Sequence, residues 1–270
     1  MNFIVWCPMA YTENSGGILA LHRLAHNLAV CGEKSFITTK NKRADYLGNQ
    51  ITEEEAVAMQ DKIVIYPEVL YGNPYKSDKV VRWLLNTRGV IPFKVGDGED
   101  GENDLVYKWS SAYKADDESK VVGYLTAIDN HLDIFYNQHK ERKGDCYIVR
   151  KGKNTHVHSG DAINIEDYQN NKYLSDVFNR CERFICYDNA CYLVVLAALC
   201  GCLPIVIPNG KFTKQEWYNS LPSYKYGIAY GFDEIQHAID TKYMVRENLI
   251  YIEQESLTQT REFIKKAYSI

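Results

Sequence analysis

Residues 186–208 read Cys-Tyr-Asp-Asn-Ala-Cys-Tyr-Leu-Val-Val-Leu-Ala-Ala-Leu-Cys-Gly-Cys-Leu-Pro-Ile-Val-Ile-Pro. An apolar strand ends there at an acidic turn, an apolar helix follows and stops at Gly201, and a second apolar strand closes at Pro208. Strand, helix and strand in that order make one unit of a parallel sheet. The turn puts Asp188 and Asn189 at the carboxyl edge of the first strand, where open α/β sheets bind ligands.

Working outward, Cys146–Val149 and Arg183–Tyr187 read as further strands of the same sheet, with Tyr226–Ala229 as another. Asp167–Phe178, Asp233–Ala238 and the long stretch Glu247–Ala267 read as helices. Nearer the amino terminus, residues 3–7 are apolar and lead through a polar loop with Ser15, Gly16 and Gly17 into a segment where Ile18, Leu21, Ala25 and Leu28 share one helical face. Phe36–Thr39, Ile63–Tyr66, Leu105–Trp109 and Val121–Leu125 are strand candidates, and Val80–Leu85 reads as helix. The glycine-rich acidic run 94–104 lacks the closing glutamate of a calcium loop and reads as a solvated loop. Apolar periodicity lapses between His139 and Asp145, which places the domain boundary there, with domains at 1–140 and 141–270.

A chain of 270 residues can bury one large core or two small ones, and two is the reading taken. With 46% hydrophobic and 24% charged residues and a net charge of −4, the chain offers no general attraction to nucleic acid. No apolar run is long enough to span a bilayer, and the amino terminus lacks a basic segment followed by a signal-like core, so a cytoplasmic location is expected. The eight cysteines lack zinc-finger spacing and read as buried thiols. His156 and His158 would face one side of a strand but have no evident third ligand. No Gly-x-Gly-x-x-Gly follows the first strand, which argues against a dinucleotide dehydrogenase.

The Gly16-Gly17 loop opening a helix, together with the unit from Asp188 to Pro208, resembles the GT-B fold glycosyltransferases. That resemblance implies an α/β fold of two Rossmann-like domains with parallel sheets facing across a cleft. It implies an acceptor-side domain first, a donor-binding domain second and a terminal helix that crosses back to the first. The retaining subfamily carries two acids in its donor domain, the second inside a Glu-Ala-Met-Ala-Cys-Gly-like helix followed by Pro and a valine-rich strand. Ala197-Ala198-Leu199-Cys200-Gly201 and Pro204-Ile205-Val206 agree with that pattern, and Asp188 falls on the first acid. Leu196 stands where the second acid, the usual ribose ligand, would be.

The resemblance implies that Asp188 and Asn189 hold the donor sugar and that Gly16 and Gly17 line the cleft. Arg150 and Lys151 would clamp the donor diphosphate, as cations stabilise charge growing on a leaving oxygen. A solvated basic turn is the alternative for that pair. Glu68, at the end of the Ile63–Tyr66 strand, is a candidate catalytic base or acceptor ligand beside Asp188. Trp217 and Tyr218 could pack on a sugar ring or serve as core.

The expected partners are a nucleotide-sugar donor and a glycan or lipid-linked acceptor. The resemblance implies a metal-independent enzyme; no metal, cofactor, nucleic acid or transmembrane segment is expected, and peripheral membrane contact is compatible with this reading. A non-catalytic binding or scaffold protein of the same fold is the alternative, and another nucleotide- or phosphosugar-handling α/β enzyme a third reading.

Overall fold

The apolar runs of the first part of the chain become neighbouring strands of one parallel sheet. In the computed structural model, which describes residues 1–13, 15–168 and 170–270, two compact units form. One is Met1–Asp129 with Glu253–Ile270, and the other is Asn130–Ile252. The expected boundary at 140/141 thus falls inside the second unit.

The first unit begins with β1 (Asn2–Trp6), α1 (Gly16–Val30) and β2 (Lys34–Thr38), followed by β3 (Asn49–Ile51), α2 (Glu53–Ala58) and β4 (Lys62–Pro67). It continues with β5 (Lys79–Leu84), β6 (Leu105–Lys108) and β7 (Val121–Tyr124). All seven strands pair in parallel in the order β3-β2-β1-β4-β5-β6-β7. Alternation splits the sheet's side chains between two cores. Phe3, Val5, Ile63, Ile65, Val81 and Trp83 meet Leu21, Leu24 and Leu28 of α1 on one face. Ile4, Trp6, Val64, Tyr66 and Val80 meet Ala56 of α2 on the other.

The segment Val80–Leu85, expected as helix, is strand β5. Its run Val-Val-Arg-Trp-Leu is buried on both faces, as a central parallel strand allows, and six residues are too few for periodicity to tell strand from helix. Two elements not anticipated, β3 and α2, are joined by a capping box in which Thr52 and Glu55 satisfy each other's backbone amides.

Arg82 of β5 is almost fully buried and holds the acidic glycine-rich loop in place. It donates from Nε to Asp104 (2.7 Å) and from its terminal nitrogens to the carbonyls of Gly72 (2.7 Å) and Leu70 (3.4 Å), and pairs with Asp100 at 3.2 Å. Run 94–104 is therefore anchored through its acids while most of its backbone faces water, which corrects its reading as a merely solvated loop.

The second unit holds β8 (Asp145–Ile148), β9 (Ile163–Asn164), α3 (Asn171–Arg180), β10 (Arg183–Cys186), α4 (Leu193–Leu199) and β11 (Leu203–Val206). There follow α5 (Lys214–Ser220), β12 (Ala229–Tyr230), α6 (Ile235–Thr241) and the start of α7 (Val245–Tyr268), whose residues from Glu253 onward belong to the first unit. Phe263, Ile264 and Ala267 of that helix complete the α1-side core. The five strands are parallel in the order β12-β11-β10-β8-β9.

Ile185, Tyr187 and Ile205 pack with Ala238 of α6, and α4 is buried along its whole length. Gly201 ends α4 in the left-handed region, and a Cβ there would meet Asn137 and Arg142. The charged stretch 139–145 is tied into this unit: Lys143 donates its amide to the Arg180 carbonyl, and Asp145 takes a bidentate pair from Arg183 at 2.7 and 2.8 Å. Among the described residues no helix is long and apolar enough to cross a membrane.

Breaking a buried ion pair leaves its partners uncompensated. Arg82→Ala should lower the unfolding free energy by about 3 kcal/mol, read as a lower urea midpoint at unchanged slope. A loss under about 0.5 kcal/mol, the size of an ordinary surface change, would show that the loop stands without this anchor.

Candidate functional site

In the second sheet the chain goes from β8 to β9 on one side and returns to β10 on the other, so strand order reverses between β8 and β10. A crevice opens at the carboxyl ends of strands at such a reversal. Ile148 pairs with Cys186, and two residues further on the chain reaches Arg150 on one strand and Asp188 on the other. The sheet register alone thus brings these two predicted residues together.

Arg150 has a positive φ of 42°, which costs a non-glycine residue about 1 kcal/mol or more and persists only where the surroundings impose it. The imposing contacts are visible. The Glu166 carboxylate accepts the Val149 and Arg150 amides at 2.9 Å each, and Gly152 passes so close to Tyr187 that a Cβ would lie 1.9 Å from its carbonyl oxygen. The Arg150 side chain lies near Cys191, Tyr168 and Asp188. Desolvation works against its charge, but the Cys191 thiol, the Tyr168 hydroxyl and the Asp188 carboxyl raise its pKa above the ordinary arginine value. Lys151, next in the chain, is exposed.

Asp188 is buried apart from a small exposed fraction, and one oxygen accepts the Ala190 amide at 3.0 Å in an Asx turn. Asn189 is engaged by the fold on several sides. Its Nδ2 donates to the Ile207 carbonyl (2.8 Å), its Oδ1 accepts from the Tyr230 hydroxyl (3.2 Å), and its carbonyl accepts from the Trp217 indole (2.8 Å). Trp217 is core: it is 1% exposed and stacked between Tyr224 at 4.4 Å and Tyr230 at 4.9 Å. Leu196 lies buried within α4.

His156 and His158 lie in a loop and not on a strand. His158 stacks on Tyr147 at 3.7 Å and its Nδ1 meets the Tyr187 hydroxyl at 2.7 Å. All eight cysteines are free thiols, and Cys31 alone is not fully buried. Among the described residues no group of three or more His, Cys, Asp or Glu is disposed to hold a metal ion.

The first sheet reverses its strand order between β1 and β4. Gly16 and Gly17 open α1 after β1, and Glu68 follows β4. Neither glycine has a positive φ. Space above Gly16 is open, and a Cβ on Gly17 would make only an ordinary 3.8 Å contact with Leu85. Glu68 is 4% exposed and accepts the Leu85 amide at 2.9 Å just past β5. Burial pushes its pKa up, against the backbone amides of Glu68, Leu85 and Asn86 and the Arg88 guanidinium.

Glu166 and Tyr168 were not singled out from the sequence. The signal for Glu166 is the one that picks out Glu68, an acid just past an apolar strand, but β9 is only two residues long. Tyr168 carries no signal of its own.

A carboxyl with a raised native pKa contributes stability that is complete below the unfolded value, near pH 4.3, and fades as pH rises through the native value. The stability of the wild type relative to Glu68→Gln should therefore be greatest near pH 4 and decline toward pH 8, measured by urea unfolding across that range. A difference independent of pH would contradict the raised pKa.

Compared with known proteins, the sequence matches no protein-family profile, and no curated protein sequence aligns with it significantly.

Proposed function

We propose that this protein is a GT-B-type glycosyltransferase that moves a sugar from a nucleotide-sugar donor to a glycan or lipid-linked acceptor. The observation that carries the reading is the meeting of Arg150 and Asp188 at the point of strand reversal in the second sheet, with Arg150 in a backbone conformation its neighbours impose. A sugar nucleotide departs as a diphosphate, so a fixed cation at the leaving oxygen stabilises charge that develops only as the bond breaks.

In this scheme Arg150 and Lys151 hold the diphosphate, and positive charge from side chains does the work a metal ion would do. Asp188 accepts a hydrogen bond from a donor-sugar hydroxyl through the carboxylate capacity that the Ala190 amide leaves open. Asn189 contributes mainly by fixing the Asp188 turn, because its side chain is already bonded to Ile207 and Tyr230. Glu68, with a raised pKa and a place beside the reversal of the first sheet, is the acceptor-side base. The facing of the two sheets across a cleft belongs to the same proposal, as does a cytoplasmic location.

Leu196 and the engaged Asn189 favour a second reading, a binding or scaffold protein that keeps the fold without donor chemistry. Thermal-shift measurements against UDP-, GDP-, CMP- and TDP-sugars separate the two, because a ligand bound only by the folded state at 100 times its Kd adds about 2.7 kcal/mol. The transferase reading expects one nucleotide class to raise the melting temperature. It also expects Arg150→Ala to lower turnover about 100-fold or more, and Lys151→Ala to lower it too, with folding intact. No shift with any nucleotide and no nucleotide release in the presence of glycans would favour the scaffold.

A further inference from the structure

The loop between β8 and β9 folds back onto the sheet it has just left, and three consecutive residues hold it there. The Val157 amide donates to the Tyr187 hydroxyl at 3.0 Å, and the Ser159 amide donates to Asp145 at 2.9 Å. Between them the His158 ring stacks on Tyr147 at 3.7 Å, with 8° between the planes, and its Nδ1 meets the same Tyr187 hydroxyl at 2.7 Å.

These contacts fix the protonation of the imidazole. The Tyr187 hydroxyl has one proton to give and already accepts the Val157 amide. Tyr187 is 1% exposed, so bulk water does not reach it, and among the described residues His158 Nδ1 is the one acceptor its hydroxyl meets. Nδ1 is therefore the bare nitrogen, and the neutral ring carries its proton on Nε2. An imidazolium would press a second N–H against that hydroxyl and leave the buried phenol proton without an acceptor.

The groups that bear on His158 come from three places. His156, on the same loop, has its ring 6.0 Å away; Tyr147 and Asp145 belong to β8; Tyr187 follows β10, whose Arg183 takes up the Asp145 carboxylate. Desolvation and the neighbouring His156 lower the His158 pKa, against the pull of Asp145. The loop is also strained, since Arg150 and His156 have positive φ of 42° and 54°, which non-glycine residues keep only where contacts impose it. Glu166 and the close passage of Gly152 past Tyr187 hold the near end, and the contacts of residues 157–159 hold the far end.

We propose that residues 153–159 form a pH-released strap, closed while neutral His158 accepts from Tyr187 and open once His158 takes a proton. Opening frees the far end of the loop that begins with Arg150 and Lys151, and uncovers Tyr147 and the tyrosine beside Asp188. The strap does not depend on the transferase reading. A base that binds its proton less tightly in the closed form is held closed fully above its unfolded pKa, about 6.5, and loses that hold as pH falls.

Trypsin reads the strap directly, because exposed Lys153 lies in it. Cleavage after Lys153, located by peptide mass spectrometry and divided by the rate for a free peptide of residues 146–162, should rise about 10-fold from about pH 8 to about pH 5.5, as expected for one buried hydroxyl losing its acceptor. A melting temperature above the assay temperature at both pH values excludes global unfolding. His158→Gln, whose amide oxygen still accepts from Tyr187 but takes no proton, should be cleaved at a normalised rate independent of pH. Tyr187→Phe keeps the buried ring and should be cleaved fast at both pH values, whereas His156→Asn should keep the pH dependence.

Nitrogen-15 NMR supplies a second reading, with His158 Nδ1 bare in the wild type at about pH 8. Neither that spectrum nor His158→Gln alters the buried Tyr187, so they decide the matter even where Tyr187→Phe fails to fold. A protonated Nδ1 at that pH, wild-type cleavage that does not respond to pH, or an equal response in His158→Gln would each overturn the strap.

Discussion

A buried parallel strand cannot simply stop, because the amides beyond its last ladder pair still need acceptors. Both sheets of this protein meet that requirement at their carboxyl edges with a carboxylate from the first or second residue past a neighbouring strand. Glu68, after β4, takes the amide past β5, and Glu166, past β9, takes the two amides past β8. Burying Glu68 raises the cost of its charge, and the amides it accepts offset part of it. The chain beyond β5 and β8 therefore leaves in a defined direction, and Arg150 and Lys151 in the second unit follow the one that Glu166 sets.

The same logic accounts for Asn189. Parallel strands β10, β11 and β12 end side by side, and one carboxamide joins the turn after β10 to the Ile207 carbonyl after β11 and the Tyr230 hydroxyl of β12. Trp217 closes the arrangement from α5 by donating to the Asn189 carbonyl from within its stack of tyrosines. Asp188 thus sits on a turn that the neighbouring residue anchors, with rigid support beneath a polar edge. Separating a residue that reaches toward ligand from an adjacent one that holds the turn is how a sheet edge stays ordered while remaining chemically available.

Legibility in the sequence followed the range over which each determinant acts. The 186–208 unit was readable because its strand, helix and strand are each several residues long, and Asp188 was readable as the acid at its turn. Strand β5 was misread because both of its faces are buried, which erases the alternation that marks a strand. Asn189 was legible as a polar residue at the strand edge, but its hold on the turn was not, since its partners Ile207, Trp217 and Tyr230 come together only in the folded sheet. Trp217, open to a sugar-stacking role on composition, is core because Tyr224 and Tyr230 cover both of its faces. Glu166 and Tyr168 escaped notice because β9 is too short to leave a pattern, and Arg82 because nothing local marks an arginine in an apolar run as the partner of acids some twenty residues ahead.

Arg142, in the charged stretch before β8, gives the second unit a property that no single element has. Its guanidinium donates to the Phe178 and Cys181 carbonyls at the end of α3 and to the Cys200 carbonyl at the end of α4. Helix ends normally fray one at a time, each at little cost, and the low-energy openings of a protein are drawn from such places. Two helices that terminate on one cation lose that independence, because releasing either end strips partners from a guanidinium the other still holds. Local breathing at these two helix ends becomes a joint event, so that α3 and α4, the helices before and after β10, open together.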